Sequence, residues 1–241
     1  MALGVRKSIN RFRLRRLAQQ NNRIARVVEQ VKQNHLTYLD VQALCDLADL
    51  VLSTEASHLE GIMVEAGCGS GGSAIVLASA KSPARPFYVY DTFGLIPPPS
   101  ENDGADVHER YRLIASGEAS GIGGAKYYGY ESNLYEKVAQ TFSEFGLDLT
   151  DNHIHLVRGL YQESMAITSP VALAHIDCDW YDSVWTCLTQ IVPNLVPGGT
   201  IIVDDYFVWS GCRKAVDDYF ACAGSQSYRF VRKSRMHISK I

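Results

Sequence analysis

Three apolar runs in this chain stop abruptly, two at carboxylates and one at a glycine turn, and that repetition limits the folds open to it. Residues 171–177 (VALAHID) end at Asp177, with Asp179 two residues on. Residues 200–205 (TIIVDD) end at Asp204 and Asp205. An earlier run passes through Val64 and Glu65 into Gly67, Gly69, Gly71 and Gly72. Read as parallel strands, the three share one sheet edge at their carboxyl ends, where open α/β folds bind ligands. That edge then holds a nucleotide-type loop beside acids fit for a divalent cation.

At 241 residues the chain suits one full α/β domain and is short for two. No apolar run approaches transmembrane length, and the start lacks the apolar stretch of a secretory signal. A cytoplasmic protein without a membrane span is expected. Six cysteines form no C-x-x-C pair and read as reduced, mainly buried thiols. Residues 1–35 hold nine Arg or Lys against one Glu, which leaves −11 on the remainder of a chain whose total is −3. The basic arm can meet an acidic partner or dock on its own acidic body. The acidic remainder argues against nucleic acid as substrate, because phosphates would be repelled.

Helical spacing predicts a helix over 4–34, with Ile24, Val27, Val28 and Val31 as its apolar stripe, and another over 39–53. These form an N-terminal helical cap, residues 1–58. Strands at 61–66, 86–90, 153–157, 171–177 and 200–204 then alternate with helices at 71–80, 131–145, 181–194 and 211–223. The runs 227–233 and 235–240 lie one residue apart and read as an antiparallel hairpin. The fold class is α/β and doubly wound, mostly parallel, with a terminal hairpin. Residues 92–130 break the rhythm with Pro97, Pro98, Pro99, many glycines, and Tyr127, Tyr128 and Tyr130. So long an insertion reads as a lid or binding loop within a domain spanning 59–241. Its acids Glu101, Asp103, Asp106 and Glu109 read as a solvated face, and its tyrosines serve ligand stacking or lid packing equally.

Gly67, Gly69 and Gly72 fit a dinucleotide loop, while Gly67, Gly69 and Gly71 fit the loop of S-adenosylmethionine enzymes. Both use glycine where a Cβ would block close approach of backbone to nucleotide. Three features favour the methyl donor. Glu65 suits a cationic amino group, Asp91 at the end of 86–90 suits a ribose diol, and the chain ends in a hairpin. NAD remains open on the glycines alone.

VEAGCGSGG and VYDTF resemble the first two motifs of class I S-adenosylmethionine-dependent methyltransferases, over about 60–241. That resemblance implies a seven-stranded sheet and a cofactor site at Glu65, Gly67, Gly69, Gly71, Ser73 and Asp91. HIDCDWYDS, IIVDDYFVWSGCRKAVDDY and DTFGLIPPP resemble the macrocin O-methyltransferase family, which methylates sugar hydroxyls of macrolides and related glycosides. This narrower resemblance implies Mg²⁺ held by Asp177, Asp204 and Asp205. Crowded carboxylates repel, and hard oxygen ligands suit that cation.

Asp177 and Asp179 are the expected catalytic carboxylates, although Asp179 and Asp182 equally suit helix caps. His108 is a rival base or a surface residue, and His175 a hydrogen-bonded core residue. Asp217-Asp218-Tyr219 repeats the acid motif inside a helix, where Lys214 and Asp218 pair, and should bind nothing.

The expected function is Mg²⁺-dependent O-methylation of a sugar hydroxyl in a glycosylated natural product or glycan. The alternatives are O-methylation of a catechol or phenolic diol, an NAD-dependent oxidoreductase, and a non-enzymatic module. A small-molecule or glycoside partner and a homo-oligomer are expected.

Overall fold

The computed structural model describes residues 2–241, with side chains from Ser8 onward. Its sheet contains β1 (Ile62–Ala66), β2 (Phe87–Asp91), β3 (Ile154–Arg158), β4 (Val171–Ile176), β5 (Leu195–Val203), β6 (Tyr228–Arg232) and β7 (Met236–Lys240). The order is β3-β2-β1-β4-β5-β7-β6. Only β7 opposes its neighbours, so the mostly parallel seven-stranded sheet with its hairpin is borne out. Ala66 lies level with Tyr90 and Ile176, and Ile176 with Val203. The chain therefore leaves β1, β2, β4 and β5 side by side, at Gly67, Asp91, Asp177 and Asp204. No helix among the described residues is long and apolar enough to cross a membrane.

The helix expected over 4–34 is two, α1 (Ala2–Gln20) and α2 (Asn22–Gln33). Asn21 separates them with extended φ and ψ, and its side chain accepts the Ile24 amide at 3.2 Å. Asparagine competes with the helical backbone in this way, so it starts a helix better than it continues one. Asp40 caps α3 (Val41–Ala56) by accepting the Ala43 amide. Ile24, Val27, Val28 and Val31 are buried, in one core cluster with α3 and the wholly buried α4 (Gly72–Ala80). Gly72 donates to the Leu36 carbonyl at 3.1 Å, and a Cβ there would meet that oxygen at 2.6 Å. The linker between α2 and α3 thus lies directly on the glycine loop.

Of the basic arm, Arg13 pairs with Asp46 and Asp49 on α3, and Arg23 donates to the Ser79 carbonyl at the end of α4. The arm docks in part on its own acidic body. The side chains of residues 1–7 lie outside the described set. Asp46 also accepts from the amide and hydroxyl of Ser234, in the turn of the terminal hairpin.

The insertion contains a helix the sequence reading omits, α5 (Ala105–Ala115). Beyond it come α6 (Leu134–Glu144), α7 (Tyr161–Ser164), α8 (Tyr181–Ile191) and α9 (Ser210–Ala223). Two acids read as a solvated face instead pin the insertion. Asp103 is buried and accepts the Tyr181 amide at 2.9 Å, at the start of α8. Asp106 accepts the Ser210 amide at 2.9 Å and the Ser210 hydroxyl, at the start of α9. Helix starts leave unpaired amides that attract carboxylates, and here the carboxylates come from a distant segment.

Removing such a cap costs about 1–2 kcal/mol. Asp103→Ala should lower unfolding stability by about that much in a urea titration, and should speed amide exchange across residues 100–115 and the first turn of α8.

Candidate active site

Backbone geometry fixes the glycine loop first. Gly67 has φ +90°, and a Cβ on it would overlap the Asp177 carbonyl oxygen. Here the exits of β1 and β4 approach closely, and only glycine leaves room. Asp91 then clamps the loop. Its Oδ2 accepts the amides of Cys68 at 2.8 Å and Gly69 at 3.0 Å, and its Oδ1 accepts Phe93 at 2.7 Å. Burial raises the Asp91 pKa, and those three amides oppose the rise.

Loop and strand ends open on a cavity of about 480 Å³, a size that suits a small-molecule site. Among the residues expected to meet a cofactor, Gly67, Gly69, Ser73 and Asp91 line it. Gly71 and Glu65 lie outside its lining. Gly71, with φ +88°, starts α4 and faces Val138. Glu65 was expected to meet a cationic ligand, and it meets a protein cation instead. Period-two alternation aims its side chain at His175, its register partner on β4. Glu65 Oε1 lies 2.8 Å from His175 Nδ1, and both residues are fully buried. Burial alone would lower the His175 pKa, but Asp204 and Glu65 push it up to about 10. As expected, His175 is a hydrogen-bonded core residue, and it is an imidazolium beneath the acids.

The strand ends bring the aspartates together. Ligand atoms of Asp177, Asp179 and Asp205 all lie within 4.8 Å of one another, and so do those of His175, Asp177 and Asp204. Of the expected trio, Asp177 belongs to both groups, while Asp204 and Asp205 fall one in each. Arg235, from the hairpin turn, holds Asp204 Oδ1 at 2.5 Å, and His175 Nε2 is 3.7 Å from the same oxygen. Asp179 is not a helix cap, because α8 begins at Tyr181 without a cap from its own segment and Asp103 supplies the acceptor. A left-handed φ of +60° turns Asp179 into the cluster.

Burial, then repulsion from neighbouring acids, lifts Asp177 and Asp205 well above the usual carboxylate range. Asp179 is pushed up to about 6 by burial, with Asp205 and Trp209 drawing it back. Asp205 Oδ2 is buried without a hydrogen-bond partner among the described residues. Crowded oxygens that resist ionisation together, one of them orphaned, are what a hard divalent cation requires. The site fits Mg²⁺.

Other candidates separate cleanly. His108 lies on α5 outside the cavity lining. Tyr127 and Tyr128 line the cavity, whereas the Tyr130 hydroxyl donates to the Ile114 carbonyl at 2.6 Å and packs the lid. Asp217 accepts from Tyr206 and Asp218 from Tyr181 and Lys214, so that acid pair is spent on the surface. Arg110, Trp209, Arg235 and the linker 36–39 also line the cavity. Sequence reasoning missed them. Trp209 alone carried a signal, as an aromatic four residues after the acid pair Asp204-Asp205.

The family model described as Macrocin-O-methyltransferase (TylF) matches residues 13–227. The 8-demethyl-8-(2,3-dimethoxy-alpha-L-rhamnosyl)-tetracenomycin-C 4'-O-methyltransferase of Streptomyces olivaceus is 31% identical over 189 residues, covering 76% of this chain and 67% of that protein. The mycinamicin III 3''-O-methyltransferase of Micromonospora griseorubida is 27% identical over 190 residues, covering 76% and 69%. Among solved structures, the O-methyltransferase NovP superposes with a TM-score of 0.69 at 23% identity, covering 85% of this chain and 81% of that one. At that identity the likeness speaks for the fold.

A carboxyl whose pKa is raised by folding costs stability as pH climbs past its ordinary range, and the cost fades as pH falls. Asp205→Asn should therefore raise the melting temperature of chelator-treated protein at pH 8 by about 2–4 °C, the shift for roughly 1 kcal/mol in a chain of this size. At pH 5 the gain should shrink. Equal melting curves at both values would mean that the acids do not repel.

Proposed function

This chain belongs to the macrocin O-methyltransferase family, and we propose that it methylates a sugar hydroxyl of a glycosylated natural product or glycan, from S-adenosylmethionine and with Mg²⁺ in the acid cluster. Family membership sets aside the NAD-dependent oxidoreductase and the non-enzymatic module. The observation that carries the finer reading is the pair of groups sharing Asp177, one with Asp179 and Asp205 and one with His175 and Asp204, whose aspartates all line the cavity that the glycine loop enters. Relatives whose names specify a rhamnosyl-tetracenomycin and mycinamicin III support a glycoside over a phenolic diol.

In this reading Gly67, Gly69, Ser73 and Asp91 line the donor's place, and the linker 36–39 closes over it from the cap, residues 1–58. Residues 92–130 act as the lid of the domain 59–241. Asp177, Asp204 and Asp205 would hold the cation. When bound, the cation supplies Lewis-acid chemistry that lowers a hydroxyl pKa, and the sulfonium supplies the methyl group. Asp179 would then take the hydroxyl proton, since it lies against Asp177 and Asp205 in the cavity and is not itself one of the expected cation ligands. A hydroxyl flanked by a second oxygen fits best, because two neighbouring oxygens can fill two open positions on one cation. Self-association is expected through α1, whose Ile9 and Phe12 remain exposed.

Methyl transfer to glycosides should stop in excess chelator and return with Mg²⁺, whereas full activity in chelator would remove the cation from the mechanism. Methylation of catechols but not glycosides would replace the sugar. Asp179→Asn should lower kcat by about 10²–10⁴-fold, the range for losing a general base, with donor affinity unchanged. Because raised carboxyls must lose protons to bind a cation, Mg²⁺ binding should release protons and tighten as pH rises. Calorimetry in buffers of different ionisation enthalpy reads that release.

A further inference from the structure

Arg110 and Trp209 line two concavities at once. One is the reaction cavity, and the other is an outer groove of about 700 Å³ that also includes Arg112 and Leu113 and the acids Asp106, Glu109 and Glu118. A ligand reaching from the acid cluster towards solvent on this side passes between them. Both are held in place. Asp106, one helical turn before Arg110 on α5, binds the amide and hydroxyl of Ser210, next to Trp209. Trp209 in turn packs edge-on against the buried Trp180, with ring centroids 5.8 Å apart.

The Arg110 guanidinium is set apart from the other arginines of the structure's interior. Arg13, Arg85 and Arg235 each grip a carboxylate. Arg110 makes no hydrogen bond or ion pair with any described residue, and lies 5.9 Å from the centre of the Tyr127 ring. Its charge still reaches Asp179. A guanidinium carries five donors in a planar fork that matches carboxylate or phosphate oxygens. The nearby aspartates would repel an anionic ligand, and a guanidinium without a carboxylate partner in the cavity lining offsets that repulsion. A neutral acceptor would need no such group.

We propose that Arg110 and Trp209 bind the non-reacting part of the acceptor, and that this part carries an anionic oxygen group, a phosphate or a carboxylate, held by Arg110. This rests on the methyltransferase reading above. The same chemistry could come from the carboxylate of the donor's amino-acid end. Arg110 favours the acceptor because, with Trp209, it borders the outer groove as well as the cavity, although its charge also reaches Tyr38 in the linker over the donor's place.

The test is calorimetry on full-length protein with Mg²⁺ and S-adenosylhomocysteine, titrating thymidine diphosphate glucose, methyl glucuronide and methyl glucoside. Wild type should bind at least one anionic probe about tenfold more tightly than the neutral one, the order expected for a charge-assisted fork. Arg110→Gln should erase that preference, and Arg110→Lys should keep part of it. S-adenosylhomocysteine affinity and the melting temperature should stay at wild-type values. A loss of S-adenosylhomocysteine affinity in Arg110→Gln would assign the residue to the donor and overturn the proposal. Equal binding of all probes, or of none, overturns it as well. Methylation assays run alongside separate the two readings. Methylated neutral glycosides with no anion preference leave the function standing and remove Arg110. An Arg110-dependent preference without any methylated sugar keeps the anion site and removes the sugar.

Discussion

Mutual repulsion among aspartates buried at one sheet edge is the constraint around which the rest of this molecule is arranged. Parallel strands deliver Asp177 and Asp204 level with one another, and the residues after them, Asp179 and Asp205, turn inward. The fold supplies partial compensation from below and from the side. His175, charged by its cross-strand partner Glu65, sits under Asp204, and Arg235 closes over the same carboxylate. Both cations address Asp204. Asp177, Asp179 and Asp205 keep their raised pKa values.

Support for this edge comes from far along the chain. Ser234, the neighbour of Arg235, is tied to Asp46 on α3, which also holds Arg13 of α1. The glycine loop meets the same N-terminal unit through Gly72 and Leu36. The cap therefore touches both halves of the cavity, the loop side through a backbone hydrogen bond and the acid side through a hairpin turn.

Much of this was legible because it follows from local chemistry. Apolar runs ending in Asp177 and Asp204 gave strands and edge together, and glycines that must adopt positive φ marked the loop. The short gap between 227–233 and 235–240 marked the hairpin. What stayed hidden depends on partners distant in sequence. Glu65 looked like a ligand contact because its partner, His175, is 110 residues away. Asp179 looked like a cap until Asp103, from the insertion, took that duty. Asn21 was lost inside an apparently continuous helical pattern, since its capping depends on a local backbone choice. Arg110 sits in an insertion read without a helix and Arg235 at the start of a hairpin run, so only folding reveals that they face the cavity.

The caps given by Asp103 and Asp106 carry a consequence for how anything enters. Swinging the insertion outward strips acceptors from the first amides of α8 and α9, the helices that follow Asp179 and Asp205. Admission of a guest is thereby tied to fraying beside those carboxylates. An outward swing at the rim would therefore be felt at the acid edge through those two hydrogen bonds.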